Sequence, residues 1–125
     1  MNHKSSLIAG IVFAFLSVAL GAFGAHALKN TLIENGRVET YELAVRYQFF
    51  HALALIASGI LLKIGYSARI RTASMCFGIG IIVFSGSLYI LSLTGITILG
   101  AVTPLGGVAF LAGWLFMLLA VVRSK

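Results

Sequence analysis

The sequence contains no aspartate, only three glutamates, a single cysteine, a single proline and a single tryptophan. Each scarcity removes a class of chemistry. Without aspartate, and with all three acids confined to residues 34–42, paired carboxylates for general acid and base work inside the fold are missing, as is the intramembrane acid of a small proton-coupled antiporter. One cysteine, Cys76, allows neither an internal disulfide nor a CxxC metal or redox site. No G-x-S-x-G, H-E-x-x-H or P-loop pattern occurs. Charge of any kind is sparse, at 10% of residues, below the usual share of soluble domains.

Apolar residues fill the space left. They make up 60% of the 125 residues, and the mean hydropathy is +1.06. A hydrocarbon core of about 30 Å takes about 20 apolar residues per helix, so the chain accommodates four spans with short connections and no separate soluble domain. The net charge of +6 does not point to nucleic acid, because the nine Lys and Arg residues sit at the ends of apolar runs rather than in a stripe or block. Their place is that of topology signals and lipid-headgroup contacts.

Residues 5–28 carry no formal charge and form the first span, expected over 6–28. Lys4 ahead of this run and Ala25-His26-Ala27 at its end imitate a secretory signal, but the run is longer than a signal peptide's apolar core and further spans follow it. The second span lies between Arg46 and Lys63, with only 16 residues between them, so both long side chains are expected to snorkel. Its helix is expected over 38–64, starting outside the membrane, because Glu42 precedes Arg46 by four residues in the favourable helical order. Arg71 and Arg123 bracket 51 uncharged residues, enough for two spans broken at Gly95. Thr103-Pro104 reads as an N-cap followed by proline at the first helical position, giving helices over 72–94 and 104–122.

The predicted fold is therefore an all-α membrane protein, a four-transmembrane-helix bundle forming one domain over residues 1–125. With four spans, Lys4, Lys63, Arg69, Arg71, Arg123 and Lys125 share one side, whereas Lys29, Arg37 and Arg46 share the other with all the acids. The positive-inside rule then puts the N and C termini in the cytoplasm of a multi-pass protein of the inner or plasma membrane. No internal repeat of the inverted-transporter kind is visible.

In lipid, small residues at helical spacing mark where helices approach. Gly10, Ala14, Ser17, Gly21 and Gly24 form such a seam on the first helix, and Gly106, Ala109 and Gly113 one on the last. On the second helix the seam Ala44, Tyr47, His51, Ala54, Ser58 turns a histidine toward the interior. An ionisable side chain at that depth is a functional candidate. Placed between Arg46 and Lys63, His51 is expected roughly 7 to 9 Å below the outer boundary. His26, Tyr47, Gln48, Ser85 and Tyr89 are expected near the same level, with Ser87 and Thr103 close by, which together suggest a polar pocket toward the outer leaflet. The same residues serve equally as hydrogen-bonding glue between helices, at about 1 kcal/mol each. Two histidines without an acid or cysteine make an incomplete metal set, so no metal and no cofactor are expected.

Gly21-Ala22-Phe23-Gly24-Ala25-His26, Tyr47-Gln48, His51-Ala52-Leu53-Ala54-Leu55, Phe84-Ser85-Gly86-Ser87-Leu88-Tyr89 and Thr103-Pro104-Leu105-Gly106-Gly107 occur in that order. In these motifs, and over nearly its whole length, the chain resembles the YgdD/YwdK-like family of small membrane proteins, a domain of unknown function with a small eukaryotic transmembrane relative. The resemblance implies a membrane protein and supplies no catalytic or binding residue. Two functions remain in view. One is a non-enzymatic, homo-oligomeric scaffold, accessory or permeation element whose partners are lipids and its own copies. The other is a protein binding or acting on a lipid, quinone or small amphiphile around His26 and His51.

Overall fold

The computed structural model describes residues 1–66 and 68–124, and it is helical throughout, with no strand among the described residues. We number the helices α1 (His3–Ala25), α2 (Lys29–Asn35), α3 (Val38–Lys63), α4 (Ala68–Thr94) and α5 (Leu99–Val122). All but α2 are long and apolar enough to cross a membrane. Lys125, one of the six cations assigned to the terminal side, lies outside the described residues.

Local chemistry sets the helix ends. The Asn2 carboxamide oxygen accepts from the Ser5 backbone N–H at 2.8 Å while the Asn2 N–H donates to Ser5 Oγ at 2.9 Å, a reciprocal cap that starts α1 three residues before the expected boundary. Helix α2 ends at Gly36, whose φ of 65° allows the Arg37 N–H to reach back to the Leu32 carbonyl at 2.9 Å. Gly95, at φ 73°, ends α4 in the same left-handed conformation, at the expected break.

Besides the early starts of α1 and of α4, which begins at Ala68 rather than at residue 72, two features depart from the sequence expectation. Helix α2 was not expected; it folds across the far end of the bundle, burying Leu32 and tying Asn35 Nδ2 to the Ser92 carbonyl at 3.0 Å. Helix α5 starts at Leu99 rather than at Pro104, because its opening turn is closed by i−3 bonds from the Leu99, Gly100 and Ala101 N–H groups. Proline is then tolerated inside the second turn, where it forgoes one bond. Thr103 does not cap; its hydroxyl bonds the Leu99 carbonyl at 3.2 Å and Ser87 Oγ at 2.6 Å.

Helices α3 and α4 form the centre, with α1 packed on α3 and α5 packed on α4. The contacts are knobs seated on glycine. A Cβ on Gly10 would stand 2.7 Å from Ile56 Cγ1 and 2.8 Å from the Ala52 carbonyl oxygen, so α1 and α3 approach at backbone distance there. Between α4 and α5 the pattern alternates: Phe77 lies on Gly113, Phe110 on Gly80 and Phe84 on Gly106. Of the other seam positions, Ser17 is buried, Gly21 meets Val45, Gly24 meets Tyr41, and Ala14 and Ala109 are half-buried.

Within α4, residues Ile81–Ser85 form a π-helical turn, with the Gly86 N–H bonded to the Ile81 carbonyl. At its end Ser85 Oγ donates to the Ala44 carbonyl of α3 at 2.7 Å, and just beyond it Ser87 turns to α5. Both termini share one end of the bundle with the α3–α4 loop. Gly59 abuts His3, Ser74 donates to Met1 Sδ at 3.3 Å, and Ile64 and Arg69 face Ala120 and Ser124 across one cleft. We call this the terminal face and the opposite end, with α2, the far face.

Candidate functional site

The sequence-predicted residues fall into two clusters and an outlier. In the first cluster Gln48, on α3, bridges three helices. Its Nε2 donates to the Phe13 carbonyl of α1 at 3.0 Å, and its Oε1 accepts from the Tyr89 hydroxyl of α4 at 2.6 Å. Tyr41 sits edge-on to Tyr89, with centroids 5.3 Å apart, and donates to the Leu20 carbonyl. Ser85 lies one turn from Gln48 along the same seam and is committed to the Ala44 carbonyl.

The second cluster is an aromatic box built by α3, α4 and α5 around His51. The imidazole stacks on Phe110 with centroids 3.5 Å apart and planes 10° apart, and Tyr47 stacks on Phe84 at 4.9 Å. Trp114 stands edge-on to Phe77 at 4.9 Å. The Trp114 indole N–H donates to His51 Nε2 at 3.0 Å, and His51 Nδ1 lies 2.8 Å from the Tyr47 carbonyl. An indole N–H only donates and a carbonyl only accepts, so this geometry selects one neutral tautomer, with the proton on Nδ1. Both ring nitrogens are thereby occupied, and His51 is 5% exposed.

His26 is the outlier. It is the exposed C-cap residue of α1 on the far face, beyond the level at which Gly24 meets Tyr41. Ten residues of α3 separate Tyr41 from His51, about 15 Å along the helix, so the structure does not bring the two histidines together. His51 itself lies at mid-length of α3, about 20 Å from the start of that helix.

Trp114 is the partner of His51 that sequence reasoning missed. A lone tryptophan in an apolar helix carries no periodic signal of its own. Its place three residues after Leu111 and one after the seam glycine Gly113 is the only hint that it borders the contact face.

A lateral groove of about 430 Å³ opens beside this box, with Tyr47, His51, Pro104, Gly107, Phe110 and Trp114 along it. Its lining is largely apolar and aromatic, and Tyr47, His51 and Trp114 are the lining residues whose side chains carry polar atoms. Among the described residues no group of three or more His, Cys, Asp or Glu could hold a metal ion, and no buried side-chain nitrogen or oxygen lacks a hydrogen-bond partner. The buried polar side chains bond one another, as in Tyr89–Gln48 and Trp114–His51, or backbone carbonyls, as in Ser85–Ala44 and Gln48–Phe13.

A family model described as a protein of unknown function (DUF423) matches residues 20–107, which include Tyr41, Tyr47, Gln48, His51, Ser85 and Tyr89 but not Phe13, Phe110 or Trp114. The UPF0382 membrane protein YwdK of Bacillus subtilis is 44% identical over 121 residues, covering 96% of this chain and 98% of its own. The UPF0382 inner membrane protein YgdD of Escherichia coli is 39% identical over 127 residues, covering 100% and 95%. A UPF0382 membrane protein of Staphylococcus haemolyticus is 43% identical over 117 residues, with 94% of each chain covered. No solved structure matches. With four apolar helices of spanning length and relatives of this kind along its whole length, the chain is a multi-pass cell-membrane protein that belongs to the DUF423 (UPF0382) family.

Proposed function

We propose that the protein is a non-enzymatic, oligomeric membrane element, a small scaffold or accessory subunit whose partners are lipids and its own copies. The observation that carries this reading is the closure of the polar interior. His51, Gln48, Tyr89, Ser85 and Ser87 each bond another helix or their own backbone, which makes them glue between helices. The centre is filled by Leu55, Ala73, Phe77, Ile81 and Phe110, so a permeation path would run between copies rather than through one. Native mass spectrometry from lipid nanodiscs tests it: a defined number of copies is expected, and monomer alone under gentle release refutes it.

The lateral groove favours a second reading, binding of a lipid, quinone or similar amphiphile against Tyr47, His51 and Trp114. His26 takes no part in it. Mass spectrometry of co-purified lipids would show a species retained by the wild type and lost in Trp114→Ala at unchanged melting temperature. Equal lipid content in both proteins rejects this reading.

A further inference from the structure

One face of α3 has no neighbour in the bundle. Glu39, Glu42, Arg46, Phe49, Leu53 and Ile60 are all exposed along it, while Gln48, His51, Ala52 and Leu55 are buried on the other side. The first five recur at intervals of three, four, three and four, the spacing of a left-handed helix–helix seam. Unlike the flank of α1, where Ile8, Ile11, Phe15 and Val18 offer lipid an uninterrupted apolar surface, this face carries both signs of charge.

Arg46 lies eight residues into α3, about 12 Å along it. Its neighbour Val45 abuts Gly21, so the arginine stands beside α1 and not above its end. Charged side chains at such levels ordinarily face a bundle interior or a water-filled cavity and are paired. Here the cation points away from its own bundle, with two acids above it on the same stripe.

We propose that this face of α3 is the contact between copies of the chain, with α3 packed parallel to the partner subunit's α3 about a twofold axis along the membrane normal. The inference rests on the oligomeric reading above and names its interface. In a twofold contact each residue meets its own counterpart and those one turn away. Arg46 of one copy therefore lies beside the partner subunit's Glu42, and the pair occurs twice. Two guanidinium groups sit among four carboxylates near the far face, while Phe49, Leu53 and Ile60 pack below them. Copies inserted with the same topology meet with α3 parallel to α3, and in that arrangement the contacts one turn apart set Arg46 beside Glu42.

Charge exchange between copies tests the contact, because an ion pair within one helix cannot be rescued by a second molecule. Arg46→Glu makes the stripe wholly acidic, and the double variant Glu39→Lys, Glu42→Lys makes it wholly basic. Each alone is expected to lose dimer about tenfold or more in native mass spectra from nanodiscs. Co-expressed with different tags, the two are expected to recover the wild-type dimer as a mixed species. Cross-linking provides a readout on folded protein that leaves the charges intact. In a Cys76→Ser background, Leu53→Cys is expected to form a disulfide dimer under mild oxidation, and Phe15→Cys on the flank of α1 is not. Failure of the mixed pair to form, or cross-linking at Phe15 and not at Leu53, overturns the α3 interface. If wild-type oligomers persist in that case, the oligomeric reading stands and another face is responsible. Monomer throughout, with no cross-link at either position, overturns both and leaves lipid as the occupant of the stripe.

Discussion

Removing the Tyr89 hydroxyl probes whether the buried polar residues hold the helices together. In Tyr89→Phe the ring keeps its packing against Tyr41, but Gln48 Oε1 loses its partner at 2.6 Å and stays enclosed. Hydrogen bonds between membrane helices contribute about 0.6 kcal/mol on average and about 1.7 kcal/mol at most. An acceptor left unpaired adds about 1 to 3 kcal/mol where water cannot reach it. The expected loss is therefore about 1 to 2 kcal/mol. Gln48→Met removes both of the carboxamide's bonds and costs at least as much, although the Phe13 carbonyl keeps the Ser17 hydroxyl at 2.7 Å. The informative quantity is the coupling. In the Gln48→Met background, Tyr89→Phe is expected to cost less than about 0.5 kcal/mol, because the acceptor it would strand is gone. Unfolding of the four proteins in mixed micelles by graded addition of SDS, followed by circular dichroism, supplies the cycle. Strict additivity would falsify the claim that this bond joins α3 to α4.

Glycine substitutions should separate by location: Gly10→Ala, whose Cβ would meet Ile56 and the Ala52 carbonyl, is expected to destabilise by about 1 to 3 kcal/mol in the same assay. Gly107→Ala, with nothing within 4 Å of the added Cβ, is expected to be neutral or stabilising by up to about 1 kcal/mol, and equal losses at the two positions would remove the close α1–α3 approach as an explanation. Nitrogen-15 NMR of His51 in lipid should show a neutral ring protonated at Nδ1. The Trp114→Phe variant should shift the Nε2 resonance, and a ring protonated at Nε2 in the wild type would contradict the Trp114 contact. For topology, fusions to the C terminus are expected to fluoresce as GFP and to be inactive as alkaline phosphatase, in keeping with cationic terminal-side residues such as Lys4, Lys63, Arg69, Arg71 and Arg123. The opposite pair of signals would invert the assignment.

The four spanning helices were legible because hydrocarbon imposes a length and a composition that few other folds share. The seam glycines were legible for a related reason: where two backbones meet, as at Gly10 or Gly106, only the smallest residue fits. Helix α2 was not legible, since seven residues with one buried leucine give no period to read. The start of α5 was misplaced because proline at a first helical position is a strong local signal, while the i−3 bonds of an apolar loop leave no mark in the sequence. Sequence placed Gln48 and Tyr89 near one level, and the structure joins them. It also set His26 beside His51. That pairing depended on the axial offset between α1 and α3, which is fixed by where Gly10, Gly24 and Gly59 receive their knobs.

The π turn at Ile81–Ser85 has a consequence for how the protein tolerates changes in length. Its wider loop holds one residue more than an α-helix would need to cover the same rise. Each residue of an α-helix turns the chain by about 100°, so in plain α geometry that surplus would offset the two halves of α4, and the wide turn absorbs it. The terminal half keys Phe77 and Gly80 into α5; the far half keys Ser85 into α3 and Ser87 into α5. Forcing 81–85 into α geometry with every residue kept would rotate one half against the other and unseat Ser85 from Ala44, whereas deleting one residue there would close the turn to a plain α-helix with both halves facing as they do now. The turn works as a vernier: it takes up one residue of length without changing which way the far half of the helix faces.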